Sequence, residues 1–286
     1  MNDSTRYPVR AWLLRNLPIW LGLLGAAFFL GLPFFWMIVT AFKPLREVML
    51  YPPAWLPGEL HWQNFIDAWR AAPFGRFFVN SIIVSVGAAL LQVLFAVMMA
   101  YAFVFIRFPF RRVIFLFVLV SMAVPEEVKL IPNFLLITRL GWVNTYAGLI
   151  VPVVAHAFPV FVMTQWFRIF PRELVEAAKV DGAGHLHTLL SVVLPASRSI
   201  LVVLGIYSFV NRWNDYLWPL IATNEVGMRT LPIGLAYLRS TQEGGGRWDL
   251  LMAAALLAML PLIALFLVFQ NQITGEVLGL FRPRKT

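Results

Sequence analysis

The sequence predicts an all-α integral membrane protein of six transmembrane helices, and three observations carry that prediction. Of its 286 residues, 60% are hydrophobic and only 13% charged, giving a mean hydropathy of +0.76. A soluble domain of this size has no use for so much apolar surface, so the solvent is a bilayer. The stretches 16–42, 77–106, 140–167 and 250–275 contain no Asp, Glu, Lys or Arg. Each exceeds the roughly 20 residues that cross about 30 Å of hydrocarbon as a helix. Finally, the basic residues behind the net charge of +9 cluster in short segments between the apolar runs, a pattern of membrane topology rather than of a phosphate-binding face. The absence of cysteine excludes disulfides, thiolate metal sites and a cysteine nucleophile. The four histidines lack metal-ligand spacing: His185 and His187, two apart, point about 200° apart on a helix.

The elements follow in chain order. The first run, 16–42, is too long for the apolar core of a signal peptide and is expected to remain as a helix. The second is 77–106. A third apolar segment, 113–138, is interrupted by Glu126, Glu127 and Lys129. The fourth, 140–167, is clean, and its His156 and Gln165 read as residues that hydrogen-bond between helices. The fifth, 199–223, is interrupted by Arg212 and Asp215, and the sixth, 250–275, is clean. With six spans both termini share a side. Arg6, Arg10 and Arg15, then Arg107, Arg111 and Arg112, then Arg168, Arg172, Lys179 and Arg198, and finally Arg282, Arg284 and Lys285 all fall on that side. The positive-inside rule makes it the cytoplasm. The whole chain, 1–286, reads as one transmembrane domain, with 171–195 a cytoplasmic loop between the fourth and fifth spans.

The two interrupted spans place ionisable groups at membrane depth. Pro125-Glu126-Glu127-Val128-Lys129-Leu130-Ile131-Pro132 sets three charges between two prolines, each of which removes a backbone donor and disfavours helix just before it. Broken helices survive in a bilayer where they line a cavity or are buried in protein. Glu126, Glu127 and Lys129 are therefore candidates for a pathway wall, with Lys129 able to meet an anion. The other reading ends the helix at the outer interface and begins a re-entrant turn there. In 211–220, Arg212 and Asp215 are three apart and can pair on a helix. Trp213, Asn214 and Tyr216 complete the candidate lining of a polar-solute path, while an interfacial aromatic belt built on Trp213, Tyr216 and Trp218 is the alternative.

Between the fourth and fifth spans lies a short polar island. Pro171 suits a first helical position and Glu173 complements the dipole beside it. Leu174, Ala177, Ala178 and Asp181 recur at spacings of three and four as a small-residue stripe, with Glu173, Glu176 and Lys179 on the other side. Gly182 permits the turn that ends the helix. A second helix over 183–193 then reaches Leu194-Pro195, where the chain is reset before the fifth span. Such a helix-turn-helix on a membrane surface is a docking knob.

Glu176-Ala177-Ala178, three residues, Gly182, nine residues and Val192-Val193-Leu194-Pro195 resemble the EAA loop of ABC importer permeases, with Val192 in place of the usual isoleucine. In that family the loop forms a coupling helix seated in a groove of the cytoplasmic ATPase. Glu176, Ala177, Ala178, Asp181, Gly182, Leu194 and Pro195 are, by this resemblance, the ATPase-coupling residues. The resemblance covers nearly the whole chain and points to the carbohydrate-uptake branch, through 144–150, Trp213-Asn214-Asp215-Tyr216-Leu217-Trp218-Pro219-Leu220 and Met252-Ala253-Ala254-Ala255. The chain is similar to the smaller maltose-type permease, which lacks a large periplasmic insertion. Through Pro125-Glu126-Glu127-Val128-Lys129 and Gly244-Gly245-Gly246-Arg247-Trp248 it is similar to the second permease of the glycerol-3-phosphate importer. The tail 273–280 departs from the family's arginine-glycine-leucine ending, so no ATPase contact is carried over to it.

The resemblance implies a bacterial inner-membrane, multi-pass subunit. Its implied partners are a second homologous permease, two ATP-binding subunits and a periplasmic or lipid-anchored solute-binding protein. No phosphate loop of the form Gly-x-x-x-x-Gly-Lys-Ser/Thr occurs here, so ATP and magnesium are expected only in the partner ATPases and no cofactor in this chain. No positioned nucleophile and base occur either, which argues against an intramembrane hydrolase. The expected solute is sn-glycerol-3-phosphate or a glycerophosphodiester, which Lys129 or Arg212 would serve. A neutral oligosaccharide, served by aromatic faces and Asn214, is the alternative. In a different class, an ATP-independent secondary transporter would place matching helix breaks in two repeats.

Overall fold

A computed structural model describes the backbone of residues 9–241 and 246–280 and the side chains of 16–240 and 246–270. Arg6, Gly244, Gly245 and the basic tail Arg282, Arg284 and Lys285 lie outside the described residues. The side chains of Arg10, Arg15 and the tail segment 273–280 lie outside them too. Fifteen α-helices are described: α1 (Val9–Ala41), α2 (Leu45–Val48), α3 (Gln63–Arg70), α4 (Phe74–Phe105), α5 (Arg111–Ser121), α6 (Glu126–Arg139), α7 (Tyr146–Ile150), α8 (Ala157–Arg168), α9 (Arg172–Val180), α10 (His185–Thr188), α11 (Leu194–Ala196), α12 (Arg198–Trp213), α13 (Leu217–Ala222), α14 (Leu231–Thr241) and α15 (Trp248–Leu280). No strand occurs among the described residues.

The chain forms two compact units, Met1–Ala71 with Leu238–Leu257, and Ala72–Tyr237 with Ala258–Thr286. In the first unit the end of α1 is closed by side chains. The last turn of a helix leaves carbonyls without intrahelical partners. Here buried Asn64 on α3 donates its amide to Ala41 O at 2.9 Å and Lys43 O at 2.8 Å. Lys43 is itself buried, its ammonium donating to Ala54 O and lying 4.5 Å from the centre of the Trp36 ring. Beyond the glycine run, Arg247 pairs with buried Asp249 at 2.9 Å, and that hydrogen-bonded carboxylate raises the arginine's pKa further above its ordinary value.

In the second unit α4 is the organising element. Of its most apolar window 39% is buried, against 6% for α1 and 11% for α15, so α4 packs within the protein while the other two turn most of their surface outward. Its buried face repeats small residues at helical spacing, Ser81, Ser85, Ala88, Ala89, Ala96 and Ala100, which lets neighbouring backbones approach closely where no hydrophobic effect drives helices together. α8 and α12 pack on this face, and Val160, Met163, Phe167, Val193 and Leu204 fill the core between them.

α1, α4 and α15 each contain a run long and apolar enough to cross a membrane. The fourth expected span is present as a bent pair, Tyr146–Val153 and Ala157–Arg168, with a 48° bend. The expected unbroken run 140–167 is thus broken at 154–156. The third expected span is two helices, α5 and α6, separated at residues 122–125. The fifth departs most from expectation. α12 ends at Trp213 after 16 residues, about 24 Å at 1.5 Å per residue and short of a bilayer core. The apolar pair that includes it is His185–Ala196 with Arg198–Trp213, bent by 83°.

Candidate functional site

The start of α6, just after the break at 122–125, and the interruptions at 154–156 and 214–216 line one cavity of about 670 Å³. α6 contributes Glu126, Glu127, Lys129 and Asn133 from its first two turns. The 152–156 segment contributes Val153 and His156. The end of α12 and the following turn contribute Asn211, Arg212, Asn214, Asp215 and Tyr216. Irregular backbone at membrane depth is tolerated where its freed polar groups find partners, and the breaks at 154–156 and 214–216 are supported in this way. Gln92 on α4 donates to Val153 O at 2.7 Å, and Trp218 donates its indole N–H to Leu149 O at 3.2 Å. Asp215 Oδ1 accepts the Trp218 backbone N–H at 3.3 Å across the start of α13.

Four side chains form a connected ionic cluster at the cavity wall. Arg212 Nη1 lies 2.9 Å from Asp215 Oδ2, and Arg212 Nη2 lies 3.2 Å from Glu126 Oε2. His156 Nε2 is 2.9 Å from the other Glu126 oxygen. The side chain of Arg212 is 6% exposed and that of Asp215 17%, whereas Glu126 is 52% exposed. The guanidinium is therefore a desolvated charge balanced first by a largely buried neighbour and second by a carboxylate reaching in from the cavity. A buried charge survives only when paired and hydrogen-bonded. Two buried polar atoms in the cluster, Arg212 Nε and His156 Nδ1, have no hydrogen-bond partner among the described residues. Glu127 and Lys129 line the same cavity and form no ion pair among the described residues.

Seven of the eight pathway candidates thus face one space. Trp213 does not: it is buried on another face of α12, its indole N–H donating to Ala258 O at 3.2 Å, its ring stacked on Phe209 and edge-on to Phe78. Adjacent residues on a helix diverge by about 100°, and here that turn carries Trp213 away from the cavity that Arg212 lines. His156, which the sequence gives as a residue that hydrogen-bonds between helices, makes that bond to Glu126 of α6 and does so at the cavity wall. Pro152 and Pro159 bracketing a histidine inside an uncharged run are the signal that marks its break.

The polar island folds as α9, a turn at Gly182 with φ +80°, and α10 leading through a wide π-helical turn, Leu189–Val193, to α11. Val175 and Ala178 are buried beneath α9. Leu174, Ala177, Val180 and Leu186 are exposed, as are Glu176, Asp181 and Gly182. The expected small-residue stripe is accordingly split: Ala178 faces the protein, and Leu174, Ala177 and Asp181 face away from it. The knob is tied down by the contact of Tyr101 Oη with His185 Nδ1 at 3.3 Å and by Trp166 donating to Ser197 Oγ at 3.2 Å.

Comparison with known proteins agrees with this architecture. The family described as "Binding-protein-dependent transport system inner membrane component" matches residues 92–277. The sn-glycerol-3-phosphate transport system permease protein UgpE of Yersinia enterocolitica is 32% identical over 245 residues, 84% of this chain and 87% of the relative. The protein of the same name from Brucella abortus is 32% identical over 270 residues, 91% and 93%. In fold, the chain is similar to one in the crystal structure of a bacterial ABC transporter involved in the import of the acidic polysaccharide alginate. The TM-score is 0.78 at 20% identity, across 95% of this chain and 99% of the other. With the family match spanning from the middle of α4 into α15 and relatives matching along most of the length, the chain belongs to the inner membrane components of binding-protein-dependent transport systems, the permeases of bacterial ABC importers.

Proposed function

We propose that this permease forms half of the translocation pathway of an ATP-driven importer whose solute is sn-glycerol-3-phosphate or a glycerophosphodiester. The observation that carries the reading is the cavity of about 670 Å³ built where three helices break, with Lys129 the one cation on its wall outside any ion pair among the described residues. Arg212 is already committed to Glu126 and Asp215, so Lys129 is the group available to a phosphate oxygen. The solute class follows the names of the relatives. The chain spans the membrane six times with both termini in the cytoplasm. α5 with α6 forms the third crossing, and α12 with α13 the fifth.

A second, homologous permease closes the other side of the pathway, and a periplasmic or lipid-anchored binding protein delivers the solute. Two ATPase subunits, which carry the ATP and magnesium, dock on the exposed face of 171–195. Glu176, Ala177, Asp181 and Gly182 contact the ATPase, Ala178 supports the helix from beneath, and Leu194 and Pro195 set the angle into α12. ATP-driven closure of the ATPases shifts the population between inward- and outward-facing states through contacts that differ between them.

Three carboxylates, Glu126, Glu127 and Asp215, also line the cavity, and carboxylates accept hydroxyl donors. This observation favours a second reading in which the solute is a neutral oligosaccharide. The test is ATP-dependent uptake of labelled sn-glycerol-3-phosphate by the reconstituted four-subunit complex with its binding protein, compared with Lys129→Gln. Uptake that falls at least tenfold in the variant, as loss of a charge-assisted contact worth about 1.5–3 kcal/mol predicts, supports the phosphate reading. No uptake of the phosphate ester alongside uptake of a neutral sugar supports the second. Uptake of either solute without ATPase subunits would identify a secondary transporter instead.

A further inference from the structure

A second cavity, of about 460 Å³, lies away from the pathway candidates, between the end of α4, α5, and the junction of α8 with α9. Four arginines line it: Arg111 and Arg112 in the first turn of α5, Arg168 at the end of α8 and Arg172 at the start of α9. No carboxylate lines it, and none of the four forms an ion pair among the described residues. Their polar contacts within the protein are long and to neutral acceptors, Arg111 to Ile106 O at 3.4 Å and Arg168 to Gln165 Oε1 at 3.5 Å. The floor is apolar, made by Phe103, Phe115 and Leu119, with the Arg168 guanidinium 4.9 Å from the centre of the Phe115 ring.

Four converging guanidinium groups without a counter-charge repel one another and concentrate positive potential, which an anion relieves. The planar guanidinium fork matches phosphate oxygens in pairs. What distinguishes this groove from a site for a free anion is its continuation. Arg112, Leu116 and Leu119 lie at spacings of four and three on α5, so the arginine end passes directly into an apolar strip. The outer residues of α5, Val113, Leu116, Phe117 and Val120, are exposed. A headgroup-and-tail ligand fits both halves, and basic pockets between helices on the cytoplasmic side are sites for anionic lipid headgroups.

We infer that this groove binds an anionic glycerophospholipid, its phosphate held by Arg111, Arg112, Arg168 and Arg172 and an acyl chain lying along α5. The inference rests on the reading of α5 as embedded with its arginine end at headgroup level. It places a lipid directly against α9, the first helix of the docking knob.

The test uses the assembled importer in nanodiscs of phosphatidylcholine alone or mixed with phosphatidylglycerol, with retained lipids counted by native mass spectrometry after extraction. Wild type is expected to retain phosphatidylglycerol in preference to phosphatidylcholine, and millimolar inorganic phosphate is expected not to displace it. Arg112→Gln with Arg168→Gln, both at exposed positions, is expected to lower that retention about thirtyfold, from about fivefold per basic residue near an anionic surface. Arg112→Lys with Arg168→Lys keeps the charge and most of the retention. Equal retention of the two lipids, or unchanged retention in the Gln variant, would overturn the inference. So would displacement by inorganic phosphate, which marks a free-anion pocket. Loss of the ATPase subunits from the Gln variant with its lipid count unchanged would also overturn it, by marking a protein contact. Solute uptake by wild type in the same lipids reports on the permease reading independently of these outcomes.

Discussion

Arg212 has two carboxylate partners that differ in burial, and the difference predicts unequal consequences for removing them. Asp215 is 17% exposed and 2.9 Å away, whereas Glu126 is 52% exposed and 3.2 Å away. Truncating one member of a buried pair leaves an uncompensated charge and costs about 3–5 kcal/mol. A pair with one solvated partner is screened and contributes about 0.2–1 kcal/mol. Asp215→Ala is therefore expected to destabilise the protein several times more than Glu126→Ala. Arg212→Met with Asp215→Leu is expected to recover most of the loss, because no charge is then left buried. The assay is a double-mutant cycle on denaturant or thermal unfolding of the reconstituted protein. It gives coupling energies for Arg212 with each acid free of each mutation's independent effects. Coupling to Glu126 as large as coupling to Asp215, or an Asp215→Ala variant as stable as wild type, would refute the assignment of Asp215 as the principal counter-charge.

Gln92→Leu leaves Val153 O without its 2.7 Å donor at the 154–156 break. It is expected to cost about 1–3 kcal/mol, read as a lowered unfolding midpoint, whereas Gln92→Glu, lacking the amide donor, is expected to do no better. Gly148→Ala places a methyl group 2.2 Å from Trp142 O, a backbone atom. It is expected to reduce folded yield sharply, while Gly205→Ala, with open space around it, is expected to be tolerated. Gly182→Leu forces a branched side chain into a residue with φ +80° on the exposed turn of the knob, at about 1–2 kcal/mol of local strain. That variant and Glu176→Lys are expected to leave folding intact and to uncouple ATP hydrolysis from uptake in reconstituted vesicles. Wild-type transport would remove the coupling assignment.

How much of this was legible beforehand depended on charge. The uncharged runs that make up most of α1, α4 and α15 were visible because nothing interrupts them. The breaks at 122–125 and 214–216 were visible because ionisable groups sit in apolar surroundings. The third break was hidden because His156 lies in a run without Asp, Glu, Lys or Arg, and a charge criterion passes over prolines. That omission concealed the cavity position of a second partner of Glu126 besides Arg212. Short-range spacing also groups residues too generously: Trp213 beside Arg212, and Ala178 beside Ala177, each turn about 100° from the neighbour with which they were grouped. The arginine groove was beyond reach of sequence, since Arg111 and Arg168 lie 57 positions apart and meet only because α5 and α8 pack together.

α12 joins, without interruption, the 83° elbow above the knob at one end and Arg212 at the other. It therefore acts as a keyed shaft. Each inserted or deleted residue turns one end by about 100° and slides it about 1.5 Å relative to the other. A single-residue change of length anywhere in 199–211 would leave the knob seated and swing the guanidinium out of reach of Glu126. Relatives that keep both features are thus constrained to keep the length of this helix, however freely its outward-facing side chains vary.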